Sequence, residues 1–472
     1  MILHESTTLD NKLTSKVETE VQKLASFVVK ARYDDISVEA YEALKIRILD
    51  SLGCAIGAVG AESAKFVRAQ VEEFGGNKMC SLIGGGQSAP DRAAFYNGTL
   101  VRYLDFNDSY LAKGETCHPS DNLSPVLAAA EYAEKDGRTL LRALAVAYQV
   151  QCRLSEVAPV REKGFDHTVQ GSYAIAAGVS KALGLDKARV ANAIAICGTA
   201  LNALRVTRTG VLSHWKGLAY PHTAFGATHA TFLAMRGITG PLEVFEGNKG
   251  FMDAIAGRFH IDWSAEHLES VTRTIVKKFN AEVHSQSAIE GVLELRNTYD
   301  LKASNIETVE IEIFDVAYNI IGGGEEGDKT VVETKEQADH SLQYLVAVAL
   351  LDGEVMPGQY RPGRIRRQDV QTLLRKVSVR PLKEYSDRFP EEMPCRLRVT
   401  LRDGRVLVSE KKDYEGFHTR RMRWETVVKK FEHLSEGRVS ASLRKKITEM
   451  VAHLEKSNVS DLTRLIRKIR AN

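Results

Sequence analysis

No two cysteines in this 472-residue chain follow C-x-x-C spacing; Cys54, Cys80, Cys117, Cys152, Cys197 and Cys395 stand apart. That excludes the usual ligand patterns of zinc and iron–sulfur sites, and it suits buried thiols in a reducing compartment. No apolar run reaches the roughly 18 residues that a membrane span needs. The stretch MILHESTTLDNKLTSKVETE is polar and acidic, without the apolar core of a signal peptide or the Arg-rich, acid-poor bias of a transit peptide. A cytoplasmic protein with no membrane partner is expected. Excess charge is missing too. Lys and Arg number 64 against 61 Asp and Glu, a net +3, so no nucleic-acid partner is expected. There is no G-x-S-x-G elbow and no G-x-G-x-x-G after a strand, and Gly322–Gly324 lacks the GK[ST] ending of a phosphate loop. No cofactor is expected.

What remains is a chain with 44% hydrophobic residues, enough for a large core and long enough for two or three domains. Its first 260 or so residues read as helices. In SVEAYEALKIRILDSLGCAIGAVGA, Ser37 is placed to cap a helix carrying Ala40, Leu44 and Ile48 on one face. Gly53 and Gly57, four apart, would let a second helix come close. SPVLAAAEYAEKDG offers Ser124 as N-cap and Pro125 at the first helical position. The Ala-rich segments LLRALAVAYQVQCRL, GSYAIAAGVSKALGL and VANAIAICGTALNAL are apolar around much of their circumference and belong inside a bundle.

The pattern changes near residue 268. TVEIEIF alternates as a half-buried strand does, and RLRVTLRDGRVLVSE reads as a hairpin with a type I′ turn at Asp403-Gly404. DHSLQYLVAVALLDG reads as a helix, and the basic RPGRIRRQD as a solvated segment. After 415 amphipathic helices return. The expected fold is mainly α with an α+β part: a large helical domain from residues 1–268 and 413–472, with a smaller α+β lid, 269–412, inserted. Such a layout favours a cleft between the two.

Titratable groups crowd one loop, VRYLDFNDSYLAKGETCHPSDNLSP, with Asp105, Asp108, Glu115, His118 and Asp121 and no clear period through its middle. Taken alone, a surface loop with incidental acids is the plainer explanation. However, His118 lies just before a helix start, where backbone N–H groups favour anions and a neutral imidazole, and a neutral His beside a bound carboxylate is a suitable general acid or base. Further polar groups interrupt apolar surroundings: His167 in KGFDHTVQGSYA, Lys216 in LSHWKGLAYPHTAFGATHA, Lys277, Lys278 and His284 in TIVKKFNAEVHSQ, and Tyr318 in FDVAYNIIGGG. His214, His222 and His229 are spaced by eight and seven, which does not match a helical zinc pair, so no metal site is expected. Acids, histidines, lysines and a tyrosine suit proton transfer at a carbon next to a carboxylate. A non-enzymatic helical scaffold would instead leave these groups scattered over the surface.

YNGTLVRYLDFNDSYLAKGETCHPSDNLSPVLAAAE, HWKGLAYPHTAFGATHATFLAMRGITGP, KKFNAEVHSQSAIE and TKEQADHSLQYLVAVALLDG together resemble the MmgE/PrpD family, over about residues 20 to 435. The wording is closest to the 2-methylcitrate dehydratase branch. The resemblance implies a helical domain with an α+β lid and a homodimer. It also implies loss of water from 2-methylcitrate, a tricarboxylate, to give 2-methyl-cis-aconitate in propionate breakdown, without an iron–sulfur cluster. Decarboxylation of cis-aconitate, or isomerisation of a similar acid, is the alternative on the same frame. By motif, the active-site positions of the related decarboxylases fall on Asp105, Ser109, His118, His167, Lys216, Lys277 and Tyr318, with Lys278 adjacent to Lys277. Lys216 and Lys277 or Lys278 would then hold carboxylates. His118 would be base or acid, with Asp105 setting its tautomer or serving as its partner. His167 would assist the leaving group or orient the substrate.

Overall fold

The computed structural model describes residues 17–209 and 213–470, so most of the N-terminal stretch read above lies outside the described residues. Most of the chain is helical, with one small mixed sheet in its second half.

Two apolar cores organise it. The larger runs from Val21 to Val276 and takes up Met422 to Ile469 from the far end of the chain. The link between the ends is visible at the Val38–Ala58 helix, where the Ser37 hydroxyl accepts the Ala40 N–H at 3.1 Å. A Cβ on Gly53 would sit 3.3 Å from Phe431 Cα, and one on Gly57 3.4 Å from the Leu434 carbonyl oxygen. The two glycines thus admit the Trp424–Ser435 helix to near backbone contact. Within this core the Pro90–Tyr103 helix packs along Trp215–Met235, and Gly137–Val157 along Thr168–Leu183. Every residue from Thr168 to Ala182 is buried, which accounts for its apolar circumference.

The second core runs from Ile275 to Phe417. Its sheet has the order Val377–Pro381, Ile306–Ile313, Cys395–Leu401, Val406–Lys411; the first pair is parallel and the others antiparallel. Val309, Ile311 and Ile313 face inward with Leu397, Val399 and Leu401. The Gln286–Thr298 and Leu342–Asp352 helices pack on this sheet and on each other.

Several local expectations need correction. Ser124 is no cap: the helix spans Leu123–Tyr132 and continues a single 3-10 turn, Pro119–Asn122. Pro119 opens that turn and Pro125 falls inside the first helical turn, positions whose N–H groups lack helical acceptors in any case. At Asp403-Gly404 the Gly404 N–H donates to Leu401 O and the Leu401 N–H to Arg405 O, with φ +87° at Gly404 alone. That is a three-residue loop ending in a left-handed glycine, not a type I′ turn. The basic 361–369 segment is only partly solvated, because Arg364 pairs with Asp352 at 2.6 Å and Asp369 at 3.1 Å. All six cysteines are free and buried. No helix among the described residues is long and apolar enough to cross a membrane.

Candidate active site

A cleft of about 1000 Å³ opens between the two cores. Asp105, His118, His167, Lys216 and Lys277 all line it.

Asp105 follows the Pro90–Tyr103 helix in the left-handed conformation, φ 51°, where a helix commonly ends on Gly or Asn. The reversal delivers its carboxylate to three cations. Arg102 Nη1 is at 3.0 Å and Lys277 Nζ at 2.9 Å from Oδ1, and Lys216 Nζ is 3.8 Å from Oδ2. Burial pushes the Asp105 pKa up, but Arg102, Lys277 and Lys216 together hold it well below the usual carboxylate range. Arg102 also donates to Asn107 Oδ1 at 2.9 Å, and Asn107 donates to Asp121 Oδ1 at 2.7 Å. Burial raises Asp121 to about 7, against the pull of Arg102.

The loop that looked aperiodic is a small hairpin, Tyr110–Ala112 paired with Glu115–Cys117. Its register sets Tyr110 opposite Cys117, and so brings Ser109 beside His118. His118 Nδ1 lies 2.8 Å from the Asp108 carbonyl oxygen and 3.1 Å from Ser109 Oγ. A carbonyl only accepts, so Nδ1 carries the proton and Nε2 the lone pair. The tautomer is therefore set by the backbone of Asp108 and not by Asp105. Burial, then the Arg102 charge, hold His118 well below the ordinary histidine pKa, so the ring is neutral. Ser109 is fully buried beneath it and does not reach the cleft wall.

His167 precedes the Thr168–Leu183 helix, its ring 5.4 Å from that of His118 and inclined at 74°. Nδ1 is 3.2 Å from Asp166 Oδ1, and Asp166 in turn accepts from Arg208 Nε at 2.6 Å. Nε2 is buried with no hydrogen-bond partner among the described residues. Burial drives the His167 pKa down to about 3 despite Asp166, with Arg208, Arg102 and Arg205 adding repulsion. With the ring neutral, one nitrogen carries a proton and the other a lone pair, and the Asp166 carboxylate near Nδ1 favours the proton there. The ring is therefore uncharged at neutral pH.

Lys216 is the second residue of the Trp215–Met235 helix; it enters the cleft while Trp215 faces solvent. Burial lowers its pKa, opposed by Asp339 and Asp105. Lys277 is positioned by backbone pairing, since Ser109 and Ile275 exchange both N–H···O bonds, at 2.9 and 2.8 Å.

Besides Ser109, two expected residues are not brought in. Lys278 projects the other way, as alternate residues of an extended segment do, and pairs with Glu290 at 3.0 Å and Glu415 at 3.1 Å. Tyr318 is half-buried against the second core beside Gly322 and Gly324, and its neighbour Ile320 lines the cleft instead. Other groups went unnoticed. Arg102 stands one helical turn before Asp105, and Asp166 adjoins His167; both spacings are visible in the chain. Glu282, bonded to His284 Nδ1 at 2.7 Å, and His340, bonded to Asp339, face the cleft from the second core, and no local signal marks them. Among the described residues, no group of three or more His, Cys, Asp or Glu side chains is placed to hold a metal ion.

Both parts of the chain match a known family. Residues 22–264 match the MmgE/PrpD N-terminal domain and residues 279–456 the MmgE/PrpD C-terminal domain. The chain is 26% identical over 450 residues to a cis-aconitate decarboxylase of Mus musculus, covering 90% of this chain and 88% of the relative. It is 27% identical over 419 residues to a 2-methylcitrate dehydratase of Cupriavidus necator, covering 83% and 84%. A mitochondrial 2-methylcitrate dehydratase of Yarrowia lipolytica is 26% identical over 453 residues, covering 89% and 84%. On both domains and most of its length, the chain belongs to the MmgE/PrpD family.

Proposed function

We propose that this cleft is the active site of a lyase that removes water from a citrate-type tricarboxylate, with 2-methylcitrate as the substrate and 2-methyl-cis-aconitate as the product. The observation that carries the reading is the pairing of a neutral His118, its Nε2 free, with the ammonium groups of Lys216 and Lys277 in one partly buried cleft. His118 Nε2 takes the proton from the carbon next to a carboxylate. Lys277 and Arg102 stabilise the charge that spreads onto that carboxylate as the C–H bond breaks. His167, on the cleft wall beside His118, orients the substrate hydroxyl. The C–O bond then breaks, the electron pair forms the new double bond, and Lys216 gives its proton to the departing hydroxyl. Burial makes Lys216 a better acid than a solvated lysine. Solvent exchange returns the proton from His118 to Lys216.

A second reading is decarboxylation of cis-aconitate, supported by relatives of that name at the same level of identity. It needs the same carboxylate anchoring but no leaving hydroxyl. The test is incubation of the purified protein with 2-methylcitrate, citrate and cis-aconitate, following absorbance of the unsaturated acid and release of carbon dioxide. Absorbance without gas supports dehydration; gas from cis-aconitate overturns it in favour of the second reading.

A further inference from the structure

The cations around Asp105 do not exhaust the positive charge of the cleft. The same cleft is also lined by Arg161, Arg205 and Arg208. Arg208 is committed to Asp166. The guanidinium groups of Arg161 and Arg205 have no ion-pair or side-chain hydrogen-bond partner among the described residues. Burial and the neighbouring Arg161 charge lower the Arg205 pKa, so the two side chains are close enough to repel.

The nearby acids are mostly engaged elsewhere. Glu115 Oε2 accepts the backbone N–H groups of Val160 and Arg161, both at 3.1 Å. Asp166 is shared between Arg208 and His167. Glu162 is exposed at the rim. The two arginines also sit on loops that are zipped together. Phe165 pairs with Leu204, the Arg205 N–H donates to Gly164 O at 2.9 Å, and the Asp166 N–H donates to Ala203 O at 2.9 Å. Two adjacent forks of N–H donors, unsatisfied and held on a fixed frame, match the geometry of a carboxylate. They are also near the reacting groups, since the Arg205 charge is felt at His167.

We infer that Arg161 and Arg205 form a binding site for a substrate carboxylate remote from the carbon that loses its proton, and that this pair selects tricarboxylates over dicarboxylates. The inference rests on the functional reading above and adds the determinant of substrate class. Lys277 and Arg102 hold the carboxylate beside the reacting carbon, and the arginine pair holds the far end of the molecule.

The test uses two unreactive probes, tricarballylate and methylsuccinate, the second lacking one terminal carboxylate of the first. Their binding to the full-length protein is measured by calorimetry for the wild type, Arg205→Gln, Arg205→Lys and the double variant Arg161→Gln/Arg205→Gln. The expected result is preference for tricarballylate in the wild type. In the double variant that affinity falls about tenfold or more, as loss of charge-assisted hydrogen bonds implies, while methylsuccinate, without the far carboxylate, changes less than about threefold. Arg205→Lys keeps the charge without the fork and should recover only part of the loss. Unchanged tricarballylate binding in the double variant overturns the inference and leaves the functional reading standing. An equal loss for both probes overturns it as well, because it means general attraction of anions. Failure of the wild type to bind any tricarboxylate removes both proposals together.

Discussion

The ammonium of Lys430 donates to the carbonyl oxygen of Lys277 at 2.8 Å, joining the Trp424–Ser435 helix to the segment that carries a cleft lysine. The same ammonium donates to the Phe106 carbonyl at 2.8 Å, pairs with Asp50 at 2.6 Å, and lies 3.5 Å from the centre of the Phe106 ring. Both Lys430 and Asp50 are buried. Lys430 thus pins the chain next to Asp105 and the chain at Lys277 to one point.

Replacing Lys430 by Met is expected to destabilise the fold by about 3–5 kcal/mol, since Asp50 is left buried and unpaired. Adding Asp50→Asn should restore most of that stability in urea unfolding. Turnover should stay depressed in the double variant, because the carbonyls of Phe106 and Lys277 remain untied. Full recovery of turnover with stability would make Lys430 purely structural.

The pH dependence of kcat/KM tests the assignment of base and acid. His118 is held well below its ordinary value, so it stays a competent base below the usual histidine range. The acidic limb should therefore fall below about pH 6, where an ordinary imidazole would already be protonated. Lys216, lowered by burial, places the basic limb below the usual lysine range. An acidic limb near 6.5 that persists in His118→Gln would show that another group is the base.

Adjacent lysines give a sharper contrast. Lys277→Ala removes a cation from Asp105 and from the proposed substrate carboxylate, and is expected to lower turnover by about 10²–10³, the range of a lost electrostatic donor. Lys278→Ala removes only the pairs with Glu290 and Glu415, and turnover should change by less than about threefold. Steady-state kinetics on the two variants, with melting curves as a fold control, decide it. Equal losses would mean that Lys278 swings into the cleft.

That contrast shows where a linear reading runs out. His167 and Lys216 were legible because each breaks an apolar or glycine-containing run, where an uncompensated polar group needs a reason, and Asp105 and His118 because titratable groups crowd their loop. Which of two adjacent lysines turns inward depends on the pairing of Ser109 with Ile275, a contact across 166 positions that leaves no local mark. Tyr318 looked equivalent to the others because a short turn after a strand can project either way. Lys430 did leave a trace. It shares the stripe Val427, Phe431 and Leu434 of an otherwise amphipathic helix, and a lysine on an apolar face calls for a buried partner. The helical bundle itself was easy to read, since Ala-rich segments apolar on all sides have nowhere else to go. The five-residue strand Val377–Pro381 was not, being too short for its alternation to register.

His167 links the site to acid stability. Its folded pKa, about 3, lies below the unfolded value of about 6.5. Between these values the unfolded chain binds a proton that the folded chain refuses, so this residue makes stability fall as pH falls, and it contributes no pH dependence above about 6.5. The magnitude approaches about 1.4 kcal/mol per pH unit. Asp121, raised to about 7, acts in the opposite sense, because the folded chain keeps a proton that the unfolded chain has lost. The wild-type curve sums both effects, so the test is a difference. Urea unfolding of wild type and His167→Asn from pH 7 to pH 4 should give a shallower slope for the variant, by about 1 kcal/mol per unit below pH 6. Parallel curves would show that His167 takes up its proton in the folded protein as freely as in the unfolded one. It would then be a charged donor in the cleft, and the leaving hydroxyl would have His167 in place of Lys216 as its acid.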